Sequence, residues 1–246
     1  MNEADPRARV GLFGGTFNPI HVGHLRAAEE VGEALGLERV VFVPSAQPPH
    51  NRQREDDVIA PATERLAWVR AAIAGNPRFS VDAIEQARAG PSYSVDTLRA
   101  YAGEPGQARV VFVIGSDAFV DLGSWREPGA LLSLANFAVM TRPPGPRGAL
   151  VEWLPADLAR HVELAPDGRS ARHREAGTWI RTVEITALDV SSSDVRARLR
   201  AGRSVRYLLP DGVHDAVVAS GLYVPQGAAG EGRARRTRGD VHEEVR

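Results

Sequence analysis

The sequence predicts an α/β protein, a doubly wound parallel sheet covered by helices on both faces. Two observations carry that expectation. Short Val- and Phe-rich runs alternate with amphipathic stretches along the chain. The runs are also continuously apolar rather than alternating, as strands buried on both faces must be. The strands read as Val10–Phe13, Val40–Pro44, Val110–Ile114 and Phe137–Thr141, each bounded by Gly, Pro or polar residues, with a late strand at Arg181–Thr186. Between the first two, His21–Leu35 carries Leu25, Ala28, Val31 and Leu35 at helical spacing. A second helix opens at Pro61, presents Leu66, Val69, Ala72 and Ile73, and is closed by Gly75. Ser94–Ala102 is a third, short helix, and Ser193–Ala201 and Pro210–Ser220 close the fold. Pro143–Gly148 is a turn-rich link, and the largely polar stretch after it, to about Ala176, has room for one helix.

Composition narrows the chemistry. The chain has 246 residues, 30 basic against 31 acidic, and no cysteine. A thiol nucleophile, a Cys-ligated metal and a disulfide framework are therefore excluded. All the basic residues are Arg. Without Lys there is no Schiff-base chemistry, no Walker-type phosphate loop and no Lys general base. A net charge of −1 gives no global attraction to nucleic acid or to an anionic membrane. The longest apolar stretches, around Ala130–Met140, fall short of the roughly 18–20 residues that span a bilayer. The N-terminus lacks the apolar segment of a secretory signal, so a cytoplasmic protein is expected. Residues 1–8 read as a flexible N-terminus and 227–246 as a disordered tail, being small and charged with little to bury. The Arg-rich run Arg233–Arg238 has Glu231, Asp240, Glu243 and Glu244 around it and reads as solvated rather than as an RNA or membrane contact.

The strongest chemical signal follows the first strand, in Gly14-Gly15-Thr16-Phe17-Asn18-Pro19-Ile20-His21-Val22-Gly23-His24. Gly14 and Gly15 allow close approach of a ligand and, on this reading, take positive φ where strand gives way to helix. The helix start behind them aims free N–H groups at the same place, a ready anion site. His21 and His24, three apart, are expected on one face, both within reach of that anion. Two histidines without Cys or carboxylate neighbours are poor metal ligands but good donors to phosphate oxygens.

A second signal is Val190-Ser191-Ser192-Ser193-Asp194-Val195-Arg196, at the head of a late helix. One hydroxyl suffices for an N-cap. Three hydroxyls, helix-start amides and a guanidinium fork together make a phosphate clamp. A third is Gly115-Ser116-Asp117 at the end of a central strand. Ligands of open α/β sheets sit beyond such strand ends, and a carboxylate there accepts from a ribose hydroxyl; the ordinary alternative for Asp117 is a helix cap. Trp125, shortly after that string, reads either as core packing or as a flat platform for a flat heteroaromatic ring.

The first string resembles the signature of the HxGH nucleotidyltransferase superfamily and, within it, the nicotinate-nucleotide adenylyltransferase family, with Asn18 where the superfamily usually has Asp. The likeness runs from about Val10 to Tyr223. Val190–Arg196 is similar to the family's Ile-Ser-Ser-Thr-x-Ile-Arg motif, and Ser92–Leu98 to its Ser-Tyr-Thr-x-x-Thr-Leu segment. Pro48-Pro49-His50-Asn51 resembles its Pro-Pro-His-Lys/Arg loop, with Asn51 in place of the cation, a role left to Arg52 or Arg54 or to weaker phosphate binding.

The resemblance implies a Rossmann-like fold with C-terminal helices, a nucleotidyltransferase domain over residues 9–226, and transfer of adenylyl from ATP to nicotinate mononucleotide with release of pyrophosphate, in NAD biosynthesis. It implies His21 and His24 as catalytic donors. Gly14, Gly15, Thr16, Phe17, Gly115, Asp117, Ser192, Ser193 and Arg196 are implied on ATP, with Ser94, Trp125, His50 and Asn51 on the pyridine nucleotide. Mg²⁺ is expected on the ATP phosphates, with no metal site of the protein's own. The implied partners are the two small-molecule substrates, without nucleic acid or membrane; a homo-oligomer is left open. A nicotinamide-mononucleotide or phosphopantetheine adenylyltransferase, or a non-catalytic nucleotide- or RNA-binding module of the same fold, remains as an alternative at this level.

Overall fold

The computed structural model describes residues 9–49, 58–102, 109–141 and 150–224. His50, Asn51, Arg52, Arg54, the link Pro143–Gly148, the first eight residues and the segment 227–246 lie outside the described residues. The chain runs β1 (Val10–Gly15), α1 (Val22–Leu35), β2 (Arg39–Pro44), α2 (Ala62–Ile73), β3 (Phe79–Val81), α3 (Ser94–Tyr101), β4 (Val111–Gly115) and α4 (Ser116–Val120). After a 3₁₀ turn at Asp121–Ser124 come α5 (Pro128–Leu134), β5 (Asn136–Thr141), α6 (Leu150–Trp153), α7 (Ala156–Ala159), β6 (Val162–Leu164), β7 (Ser170–His173), β8 (Trp179–Glu184), α8 (Ser192–Arg200) and α9 (Asp211–Ser220).

The strands form one sheet in the order β3-β2-β1-β4-β5-β8-β7-β6. From β3 to β8 every pairing is parallel. Strand order reverses between β1 and β4, which puts the open ends of Gly14-Gly15 and Gly115 side by side at the switch point.

Both faces are buried, as the continuous apolar runs require. Phe13, Val40, Phe42, Val111, Val113 and Met140 pack under Val31, Trp68, Val195 and Val213, from α1, α2, α8 and α9. Their strand neighbours Leu12, Val41, Val43, Phe112, Ile114 and Val139 face the other way, onto Leu98, Phe119, Leu131 and Leu150 from α3 to α6. No helix among the described residues is long and apolar enough to cross a membrane.

The sheet departs from the expectation at one edge. β7 runs antiparallel to β8 and β6 antiparallel to β7. The stretch before Ala176 thus holds a hairpin as well as two one-turn helices, not a single helix. An edge hairpin buries only alternate residues, here Val162, Ala171 and His173, and so its sequence reads as mostly polar. Within the hairpin, burial holds the His173 imidazole below its usual pKa. β8 begins at Trp179, two residues before the predicted start.

One buried side chain fixes the loops at the sheet's open end. Arg65, on α2, is 1% exposed. Its Nε donates to the Ala60 carbonyl at 2.9 Å. Nη1 donates to the carbonyls of Thr16 (2.7 Å) and Ser45 (2.6 Å), and Nη2 to Ala46 (3.1 Å). The guanidinium thereby ties the loop after β1 to the loop after β2. Replacing it leaves buried carbonyls without donors, each a sizeable cost. Arg65→Met is expected to lower unfolding stability by about 2–4 kcal/mol in urea titration, against less than about 0.5 kcal/mol for the exposed Arg70→Met on the same helix.

Candidate active site

The turn after β1 is built differently from the glycine reading. Gly14 and Gly15 finish the strand, and the left-handed residue is Phe17, at φ 48°. Phe17 is buried, edge-on to Phe13 with ring centroids 5.7 Å apart, so core packing holds that conformation. Asn18 is also buried. Its amide donates to the Val58 carbonyl, and its Oδ1 accepts from the Ala60 N–H and the Tyr223 hydroxyl. The side chain is therefore a brace between the turn, the segment before α2 and the loop that follows α9.

His21 is the N-cap of α1 and His24 its third residue. The His21 N–H donates to His24 Nδ1 at 3.2 Å. With Nδ1 accepting, the neutral His24 ring carries its hydrogen on Nε2, which becomes a donor. The two rings stack with centroids 3.7 Å apart, and Phe17 meets the His24 ring edge-on at 5.2 Å. Gly23 makes this packing feasible: a Cβ there would lie 2.9 Å from Val190 and 3.0 Å from His21. His24 lines an open polar cavity of about 250 Å³; His21, 4% exposed, does not, so the two rings are not equivalent as the spacing alone suggested.

That cavity is where the second motif arrives. Thr16, Phe17, Asn18, His24, Ile59, Ser192 and Arg196 line it. The three serines divide their tasks. Ser191 is the N-cap, accepting from the Asp194 N–H at 3.1 Å. Ser192 Oγ donates to the Pro19 carbonyl at 2.9 Å, and Arg196 Nη1 to the Asn18 carbonyl at 2.9 Å. Ser193, exposed, accepts from Arg196 Nη2 at 3.4 Å without lining the cavity. Two segments some 170 residues apart in sequence are thus bonded to each other around one anion-sized space.

A second, more apolar cavity of about 330 Å³ adjoins it, with Thr16 common to both. Gly14, Gly15 and Gly115 form its floor at the switch point, and Ser94, Trp125 and Phe112 are among its walls. Trp125 stands edge-on to Phe112 at 6.4 Å and is half-buried rather than swallowed by the core. Ser45, Pro48 and Pro49 represent the loop after β2 in this wall. Asp117 lies exposed in the first turn of α4, whose N-cap is Gly115, so it is not a cap. It lines neither cavity. A Cβ on Gly115 would fall 2.4 Å from Asp117 Oδ1, so glycine is needed for that carboxylate to fold back over the strand end.

Sequence reasoning missed Ser45, Ile59, Glu85, Ser92, Thr97 and Arg126, all of which line one cavity or the other. Ser92 and Thr97 fall inside the Ser92–Leu98 segment. Ser92 Oγ accepts from the Ala46 and Gln47 N–H groups, and Thr97 Oγ1 donates to buried Glu85 at 2.7 Å. Nothing local marks Ile59 or Glu85, because the fold alone brings them in.

Among the described residues no group of three or more His, Cys, Asp or Glu side chains could hold a metal ion. The polar cavity offers mainly hydrogen-bond donors, a set suited to phosphate oxygens rather than to a cation.

Comparison with known proteins gives the family. The model of the cytidylyltransferase-like family matches residues 12–198. A protein of Trichlorobacter lovleyi named "Probable nicotinate-nucleotide adenylyltransferase" is 43% identical over 218 residues, covering 88% of this chain and all of that one. One of Pelobacter propionicus with the same name is 40% identical over 215 residues, 87% of this chain and 98% of its own. Among solved structures, the Plasmodium falciparum nicotinic acid mononucleotide adenylyltransferase complexed with NaAD superposes with a TM-score of 0.64 at 16% identity, over 88% of this chain and 97% of that one, a likeness of fold. The chain belongs to the cytidylyltransferase-like family and, within it, to the nicotinate-nucleotide adenylyltransferases.

Proposed function

We propose that the protein joins nicotinate mononucleotide to the adenylyl group of ATP, giving nicotinate adenine dinucleotide and pyrophosphate in NAD biosynthesis. The observation that carries this reading is the pair of adjoining cavities: a donor-lined one sized for phosphates and an aromatic one for a flat ring, meeting at Thr16. The relatives' names and the neighbour complexed with NaAD support the same reaction. A cytoplasmic location is part of the proposal.

The 5′-phosphate of the mononucleotide attacks the α-phosphorus of ATP in line. A new P–O bond forms as the bond to the bridging oxygen breaks, and pyrophosphate departs. The attacking oxygen is already anionic, so the protein supplies position and charge rather than a nucleophile. His24 donates through Nε2 to an α-phosphate oxygen, and His21 acts behind it, holding Nδ1 and the ring plane. Backbone N–H groups from Gly15 to Phe17 face the same phosphate. Arg196, with Ser193 on the guanidinium, takes the leaving pyrophosphate, and Ser192 turns its single hydroxyl hydrogen from the Pro19 carbonyl to donate to it. In a chain without Lys, Arg196 is the cation placed for that task. Mg²⁺ enters as part of the MgATP substrate, neutralising charge on the phosphates. Gly115 and Asp117 flank the ribose, and Ser94 and Trp125 seat the pyridine ring; His50 and Asn51, outside the described residues, are assigned to the pyridine nucleotide by the resemblance alone.

Pyrophosphate release tests the roles. Removing one preorganised donor costs about 10²–10³ in rate, so His24→Ala is expected to lower kcat by that factor with little loss of fold, read as a small drop in melting temperature from the lost cap bond; wild-type turnover at saturating substrates contradicts the role. Arg196→Ala is expected to lower kcat/KM for ATP by about 10² or more. Equal rates at limiting ATP contradict its place on the triphosphate.

A further inference from the structure

The aromatic cavity is electrically lopsided. Among its described lining residues Arg126 is the one basic side chain and Glu85 the one acidic side chain. Arg126 follows Trp125 directly, and its guanidinium lies 4.7 Å from the centroid of the Tyr93 ring, next to Ser94. Stacking on Tyr93 holds the cation beside the ring-binding wall, so little freedom remains to be lost when a ligand arrives. Its nearest carboxylate among the described residues is Glu127, 3.7 Å away at Nε and too far for a hydrogen bond. Glu127 is instead engaged by both terminal nitrogens of Arg99. Arg126 therefore lines the cavity with only an ion pair at 3.7 Å to a carboxylate that Arg99 already engages, so its guanidinium donors are not taken up by Glu127. Glu85, buried and bonded to Thr97, presents negative charge to the same space.

We infer that Arg126 selects a pyridine ring bearing a carboxylate over one bearing a carboxamide. This rests on the reaction proposed above and adds the residue that sets its substrate. A 3-carboxylate gains a charge-assisted hydrogen bond on the Arg126 side and is turned away from Glu85. A neutral carboxamide gains less from Arg126 and meets no repulsion at Glu85. Backbone amides around Trp125 and Ser94 bind either group, so they set affinity and the side-chain cation sets the preference.

The experiment measures kcat/KM for nicotinate mononucleotide and for nicotinamide mononucleotide, at saturating MgATP, by pyrophosphate release. Full-length wild type, Arg126→Met and Arg126→Lys are compared. Met keeps the stem and removes the charge; Lys keeps the charge and loses the fork. The acid-to-amide ratio is expected to fall by about 5- to 10-fold in Arg126→Met and to stay within about threefold of wild type in Arg126→Lys. An unchanged ratio in Arg126→Met overturns the inference, as does an equal loss on both substrates, which would mean packing alone. Wild type inactive on both substrates is a separate result that removes the reaction itself and the selection with it.

Discussion

A single buried cation organises the ligand-facing end of this protein. Arg65 sits under the loops that follow β1 and β2 and directs its guanidinium at four backbone carbonyls, those of Thr16, Ser45, Ala46 and Ala60. Burial draws its pKa down, yet an arginine starts far enough above neutrality to keep its charge. Loops at the open end of a parallel sheet have no ladder to hold them, and their carbonyls must find donors elsewhere. Here one side chain supplies them. Thr16, the residue shared by both cavities, is thereby fixed relative to the wall made by the β2 loop.

Built on that frame, the site is a set of donors converging from the two ends of the chain. Asn18 and Pro19 offer carbonyls to Arg196 and Ser192, so the first turn and the last helix pair are pinned together before any ligand arrives. Tyr223 closes the same knot through Asn18 Oδ1. Such preorganisation places the Arg196 guanidinium and the His24 ring before a ligand binds, which is what electrostatic catalysis needs. It also separates the histidines: one is a buried cap that orients, the other faces the cavity.

Much of this was legible in the sequence because strands buried on both faces cannot hide. Val40–Pro44, Val110–Ile114 and Phe137–Thr141 are almost wholly apolar, and the structure places a strand at each. The two phosphate-facing strings were legible because Gly, His, Ser and Arg at close spacing have few other reasons to occur together. The β6–β7 hairpin was hidden by its short, half-exposed strands, and β3 by being three residues long. The positive φ went to Phe17 instead of a glycine because ring packing in the core outweighs the local backbone preference. Arg65 looked like any exposed helical arginine, and only the folded chain shows what lies beneath it. Glu85 and Arg126 meet the same cavity from separate segments, a proximity that no local pattern encodes.

The central claim is that the turn bearing His24 and the helix start bearing Ser192 and Arg196 grip one triphosphate between them. A crystal structure of the protein with a non-hydrolysable ATP analogue tests it most directly. The account predicts the α-phosphate within hydrogen-bond distance of His24 Nε2 and the outer phosphates on Ser192 and Arg196. A triphosphate bound elsewhere, with that cavity empty, would contradict it.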